Sequence, residues 1–200
     1  MKEIQTITPK ILYYGTPVIL LNTLNEDGTT NISPISSSWA LGNSIILGIG
    51  LGGKAIENLE NTPECVLNIP DASLWEKVEK LAPYTGKDPV PYEKQMLGFT
   101  CKKDKFTESG FTSTPSVSVQ PDRIQECPLQ IEAKVEQIRV PDYSPFFAIV
   151  ETQAVNVHAH PEIITGTNHI DPAQWRPLIY NFRHYFGLGE ELGKTYRSET

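Results

Sequence analysis

The 200-residue sequence has no apolar run approaching the ~20 residues that cross a bilayer, so no membrane span is expected. Met1 to Lys10 mix polar and β-branched residues and lack the apolar centre of a secretory leader, which predicts a cytoplasmic protein. No long tract carries one sign of charge, and 39% of the residues are hydrophobic, so extended disorder is excluded over most of the chain. Basic clustering is also missing. The net charge is −7, whereas a protein that displaces counterions from nucleic acid presents a basic face. Nucleic acid is therefore not an expected partner. An acidic chain can still hold a small phosphorylated ligand, because one helix start and one lysine suffice locally. Cysteine is scarce: Cys65, Cys101 and Cys127 form an odd set without a CxxC spacing. Neither a disulfide framework nor a zinc ribbon follows, and three reduced thiols are expected. There is no internal repeat.

What is present reads first as β-structure. Thr16 to Leu24 is a dense apolar run, Asn25–Gly28 is a turn, and Thr29 to Ser37 returns as a second strand. Pro34 cannot donate a ladder hydrogen bond, which places that strand at an edge or a bulge. Ser44 to Ile49 makes a third strand after a Gly42 turn, completing an antiparallel meander. A short helix is predicted over Lys54 to Asn61, a strand over Cys65 to Ile69, and a second helix over Asp71 to Ala82. Residues 83 to 122 are irregular, with a short helix near Tyr92 to Leu97. An excursion of that length implies a task such as a lid or a dimer contact. Leu129 to Val140 alternates, with Leu129, Ile131, Ala133 and Val135 on one face, and Phe146 to His160 is a long strand or a bent pair. A short helical piece is expected from Asp171, and then an aromatic, basic stretch from Tyr180 to Phe186. The whole reads as one domain over residues 1–200.

Gly48, Gly50 and Gly53 spell GxGxxG between a strand and a helix, and Asp71 follows roughly 20 residues on, as in a dinucleotide-binding βαβ unit. Three features oppose a Rossmann dehydrogenase. The motif follows the third strand of a meander, its helix ends before Pro63, and long alternating strands occupy the later chain. The glycines still allow a phosphate to approach the backbone at a helix start.

Two segments carry the chemistry. Asn31 to Trp39 (NISPISSSW) offers hydroxyls and backbone groups at a bulged strand, then a large aromatic. A flavin ring needs such donors and acceptors on its polar edge and apolar surface on its faces. Gly52 to Leu59 (GGKAIENL) offers a cation and a fresh helix N-terminus for a terminal phosphate. The third strand links the two and can bring them to one cleft.

In this order the chain resembles the flavin-reductase-like FMN-binding split-barrel family. The resemblance rests on Asp27-Gly28, Asn31 through Ser36, Lys54 through Leu59 and Asn68-Ile69-Pro70. It continues through Asp104-Lys105-Phe106 with Gly110-Phe111, and Glu126 through Glu132. It spans about residues 13 to 190 and is similar in the order and spacing of the pieces. It implies a mainly β fold, a six-stranded antiparallel split barrel with peripheral helices, assembled as a homodimer. It implies FMN held at Ser36, Ser37, Ser38 and Trp39 by ring and ribityl chain, and at Gly52, Gly53, Lys54 and Ala55 by phosphate. It implies hydride transfer from NADH or NADPH through the flavin to a small-molecule substrate or electron acceptor, with no dedicated catalytic side chain. A non-catalytic FMN carrier or redox partner is the alternative. One departure stands out: the helix-opening threonine of the family is Ala55 here, which removes a hydroxyl that would cap the helix or meet the phosphate.

Other candidates have plain readings beside the sharp ones. His158 and His160 share a strand face, a spacing metals use, but no third ligand stands nearby in sequence and no metal is expected. Arg183-His184-Tyr185 reads as the end of a surface helix or, if a subunit boundary forms the pocket, as a neighbour of the ring.

Overall fold

The structure, a computed structural model, describes residues 3–196 and 198. Seven strands make one antiparallel sheet: β1 (Ile19–Leu24), β2 (Thr30–Ile35), β3 (Ser38–Leu41), β4 (Ser44–Gly50), β5 (Glu64–Ile69), β6 (Leu129–Arg139) and β7 (Phe147–Ala159). Their spatial order is β2-β1-β5-β6-β7-β4-β3. The two edge strands, β2 and β3, are consecutive in the chain and separated only by Ser36 and Ser37. A flat sheet cannot place its opposite margins two residues apart, so the sheet curls into a barrel split at that joint. The expected count of six becomes seven for this reason: one run of chain is broken at Ser36–Ser37 and serves both margins. Pro34 sits on edge strand β2, where a missing N–H is tolerated.

The interior follows from the period-2 geometry of strands. Ile19 and Leu21 face one cluster with Leu47, Leu67, Val150 and the apolar face of helix α1 (Lys54–Asn61). Leu20 and Val18 face a second cluster with Val78, Leu81, Phe111, Ile124 and Leu178, where helix α2 (Trp75–Leu81) packs. Because both faces of β1 are covered, Ile19, Leu20 and Leu21 are apolar in succession without alternation, and even Asn22 and Thr23 are buried. Leu129, Ile131, Ala133 and Val135 do share one face, against the first cluster. The opposite face of β6 is also closed over, burying Gln130 and Glu132.

Asparagines at the family's motif positions are structural clamps. Asn68 donates to the Leu20 carbonyl (3.1 Å) and accepts from the Ile124 amide (2.9 Å), tying β5 to β1 and to the excursion. Asn58 donates to Thr23 Oγ1 (3.1 Å) and Asn25 Oδ1 (2.9 Å), locking α1 onto the first turn. That turn closes with Gly28 at φ +81°, a conformation that favours glycine.

Residues 83–122 are less bare than their composition suggests. They hold helix α3 (Tyr92–Met96), helix α4 (Lys105–Ser109) and two-residue strand pairings at 84–85 with 100–101 and 113–114 with 123–124. Asp104 caps α4 by accepting from the Thr107 amide (3.1 Å), and Gly110 ends it at φ +73°. The D-K-F-x-x-x-G stretch is thus a capped helix with Lys105 at its first position.

Two C-terminal expectations are corrected. From Asp171 the chain makes a single turn, its carbonyl accepting from Gln174 (3.1 Å) and Trp175 (2.9 Å), and no helix follows among the described residues. The Arg183 stretch is a hairpin, not a helix end. Strands Ile179–Asn181 and His184–Phe186 pair around Phe182 and Arg183, both with positive φ. The hairpin adds to strand Tyr14–Pro17 in a separate three-stranded sheet, packing Tyr13 edge to face with Tyr180 and Tyr180 in a tilted pair with Tyr185. Among the described residues no helix is long and apolar enough to cross a membrane.

Candidate functional site

One cleft of about 470 Å³ brings both sequence segments together. This size lies within the roughly 300–1,000 Å³ of small-molecule sites. Ser36 and Ser37 form one wall, and Gly52, Gly53, Lys54 and Ala55 form another. Six of the eight expected site residues therefore meet. Ser38 and Trp39 do not line the cleft. The chain leaves it at Ser37 and enters β3, where Trp39 stands opposite Ile46 and is 59% exposed.

The joint is held by backbone. The Gly48 amide donates to the Ser37 carbonyl at 2.7 Å, and a methyl on Gly48 would lie 3.1 Å from Ser37 Cβ. Gly48 is thus glycine to let the two margins touch. This reason holds for Gly48 alone in the GxGxxG string, since a methyl on Gly50 would meet nothing within 4 Å, and strand β4 runs antiparallel to both neighbours, unlike the opening strand of a dinucleotide fold.

Helix α1 begins at Gly53, whose N-cap conformation is extended and which offers no capping side chain. The first amides of a helix have no intrahelical acceptor. Ala55 adds no hydroxyl, and Gly53, Lys54 and Ala55 line the cleft, so this helix start is left to an external acceptor. Lys54 lines the cleft but its ammonium is committed: it pairs closely with Glu57 and lies 4.0 Å from Glu26. Glu57 also holds Lys87 at 2.6 Å, and its hydrogen bonds from Lys54 and Lys87 keep the carboxyl below the usual range.

The excursion closes the opposite side through Tyr84, Thr85, Gly86, Lys94, Phe99 and Lys105. Sequence reading located this segment but assigned it no site residue. Lys105 is 2% exposed, and its ammonium donates to the Ile32 carbonyl at 2.7 Å. Burial, followed by the nearby charge of Lys94, lowers its pKa to about 8. Its D-K-F setting is the available signal in the sequence: Asp104 caps the helix that Lys105 opens. Gly86 is pressed tightly. A Cβ there would lie 2.6 Å from Asn31 Oδ1 and 3.1 Å from Lys54 Cγ. Asn31 Oδ1 itself is buried and has no hydrogen-bond partner among the described residues.

Tyr13, Tyr180 and Tyr185 supply an aromatic flank, with Ser37 Oγ donating to the Tyr13 hydroxyl at 3.3 Å. Tyr185 donates to Glu79 (2.9 Å), and burial, then that carboxylate, pushes its pKa up. The lining contains three lysines and no carboxylate. In a chain of net charge −7 this is a local inversion of sign, suited to an anionic ligand with a planar apolar part.

Other candidates resolve differently. His158 meets Glu132 at 2.7 Å, an acidic partner 26 residues away in sequence. Glu132 is fully buried and also accepts from the Val117 (2.8 Å) and Ser118 (2.6 Å) amides. Burial raises its pKa, but those amides and His158 outweigh it and leave the carboxyl below its ordinary value. His160 Nε2 instead faces the Gln125 carbonyl at 2.8 Å. No group of three His, Cys, Asp or Glu that could hold a metal ion occurs among the described residues. Cys65 and Cys127 are buried, and burial pushes the Cys65 thiol up to about 12, making it a poor nucleophile.

The chain shares this architecture with known proteins. It is 61% identical over 199 residues to uncharacterized protein YdfE of Bacillus subtilis (strain 168), covering 100% of this chain and 96% of that one. Flavoredoxin of Desulfovibrio vulgaris (Miyazaki F) superposes with a TM-score of 0.81 at 18% identity, covering 99% of this chain and 100% of that one. Nitrilotriacetate monooxygenase component B from Bacillus cereus gives 0.76 at 15% identity, covering 97% of this chain and 100% of that one. These likenesses bear on the fold. The flavin reductase like domain matches residues 11–189, nearly the whole chain, and with the split barrel and its lysine-lined cleft described, the protein belongs to the flavin reductase like family.

Proposed function

We propose that this protein binds FMN in the cleft and works as an NAD(P)H:flavin reductase-type oxidoreductase. Its family makes the role a flavin-related redox one. The finer reading rests chiefly on one observation: the serine joint and the open start of α1 share a single cleft that is aromatic on one flank and free of carboxylates.

The residues fit the group. Backbone amides at the start of α1 would receive the phosphate, with lysine charge close by. Ser36, Ser37 and the adjoining peptide groups would meet the ribityl chain and the polar ring edge, while Tyr13 and Tyr180 exclude water from one side. Buried Lys105 places positive charge in the same space, balancing negative charge on a bound ligand. Bound FMN supplies hydride acceptance and electron delivery, so the protein needs to bind, orient and shield rather than to provide a general acid or base. NADH or NADPH is the donor in this reading and a small molecule the acceptor. We further propose a homodimer, because β3 exposes Trp39 (59%) and Leu41 (76%) at a sheet margin, apolar surface that a second copy would cover.

Purified protein mixed with FMN should quench flavin fluorescence stoichiometrically and then oxidise NADH or NADPH in steady state with excess flavin as acceptor. Uptake without turnover would move the assignment to an FMN carrier. Failure to take up FMN would end the proposal.

A further inference from the structure

The phosphate-binding lysine expected from the sequence is Lys54, yet its ammonium is occupied by Glu57 and approached by Glu26. A different cation stands at the same helix start. Lys94, on α3 of the excursion, lines the cleft, and its Nζ lies 4.0 Å from the position of a methyl built on Gly53. The side chain is half-buried and passes over the Phe99 ring, with Nζ 5.6 Å from its centre. Among the described residues no carboxylate lies within ion-pair distance of it. Burial, then the nearby charge of Lys87, disfavours its protonated form. A desolvated ammonium without a counter-ion, beside a helix start without a cap, is incomplete electrostatically. A dianionic phosphate monoester completes both.

We propose that Lys94, not Lys54, is the cation that receives the terminal phosphate, and that residues 86–99 act as a clamp selecting flavin mononucleotide over riboflavin. The proposal rests on the FMN-binding reading and adds a residue and a basis of selectivity to it. Lys54 then has a supporting role: with Glu57 and Lys87 it forms a fixed charge chain against which Gly86 packs. Geometry explains why the clamp comes from the excursion. Gly53 leaves room above the helix start, and α3 fills that room with one long side chain.

The test is a pair of titrations, FMN and riboflavin, on the full chain and on Lys94→Met, Lys94→Arg and Lys54→Met, read by flavin fluorescence. A lost charge-assisted contact to phosphate corresponds to roughly ten- to hundredfold in affinity. Lys94→Met should lose that factor for FMN and leave riboflavin unchanged, Lys94→Arg should retain most of it, and Lys54→Met should lose less than Lys94→Met. The salt dependence of FMN binding should flatten in Lys94→Met alone. Equal loss for both flavins would mean a structural role, and unchanged FMN affinity would remove Lys94 from the site; either overturns the clamp. Unmodified protein that binds both flavins equally also overturns it while leaving the flavin reading intact. Unmodified protein that binds neither ends both.

Discussion

The two walls of the cleft are built by different means. The sheet wall, from Ser33 to Ser37 and Gly48 to Gly50, stands on strands whose registers run unbroken into two apolar clusters. The excursion wall, from Tyr84 to Lys105, stands on two five-residue helices and a two-residue strand pairing, tied by the Lys87–Glu57 ion pair (2.6 Å). Packing fixes the first wall, while capping, charge and close backbone contact fix the second. The contrast teaches that rigidity and ligand charge are supplied separately: the sheet gives shape, and the excursion gives two of the three lysines.

The contrast can be broken in order of size. Leu67→Ala removes a 1%-exposed side chain from the first cluster and should cost about 2–5 kcal/mol, measured by urea unfolding. A smaller loss would mean that the sheet wall relaxes readily. Lys105 comes next. Its folded-state pKa, lowered to about 8 by burial and by Lys94, lies below the ordinary 10.5, so the unfolded chain binds more protons between those values. Stability attributable to this group therefore rises as pH increases from 8 to 10.5, by at most about 3 kcal/mol. The stability difference between Lys105→Met and the parent should shift by that amount across the window, in favour of the parent at high pH. A flat difference would show that Lys105 is solvated.

Gly86→Ala probes the close contact of the walls. The new methyl would meet Asn31 Oδ1 at 2.6 Å, forcing a shift that costs about 1–3 kcal/mol and loosens the excursion first. Hydrogen exchange should then speed up over residues 84–105 with the sheet amides unchanged. Faster exchange in the sheet would show that the walls open together. Glu108→Gln removes a pair whose partners are solvent-accessible and should leave the thermal midpoint unchanged within error. A clear drop would show that this exposed Lys102–Glu108 pair helps to hold the excursion in place.

Much of the sheet was legible because its signals are local. The Asn25–Gly28 turn, the apolar run of β1, the Lys54–Asn61 helix and the alternation of β6 each follow from a few neighbouring residues. The extra strand was not legible. Nothing in Ser36–Ser37 says that the sheet margins meet there; that depends on closing all the other pairings. The helix expected after Asp171 failed because a capping-type aspartate also makes an isolated turn, and Trp175 is drawn back to the sheet core. At the site, Ser36, Ser37 and residues 52–55 were read correctly as neighbours in space. Trp39 was not, because side-chain direction beyond the joint depends on which strand β3 joins. Lys94 and Lys105 were invisible as a pair, being brought together by two short helices whose docking no periodic pattern encodes.

The two-residue link between β2 and β3 has a consequence for how such a cleft changes over generations. Since one short length of chain seals both margins of the ring, inserting or deleting residues there would shear every pairing around it. The mouth can be refitted to a new guest from the segment between β5 and β6 and from the tyrosine flank, both of which lie outside the ring of pairings. Those segments are therefore where descendants of this scaffold have latitude, and the serine joint is the gauge that stays fixed.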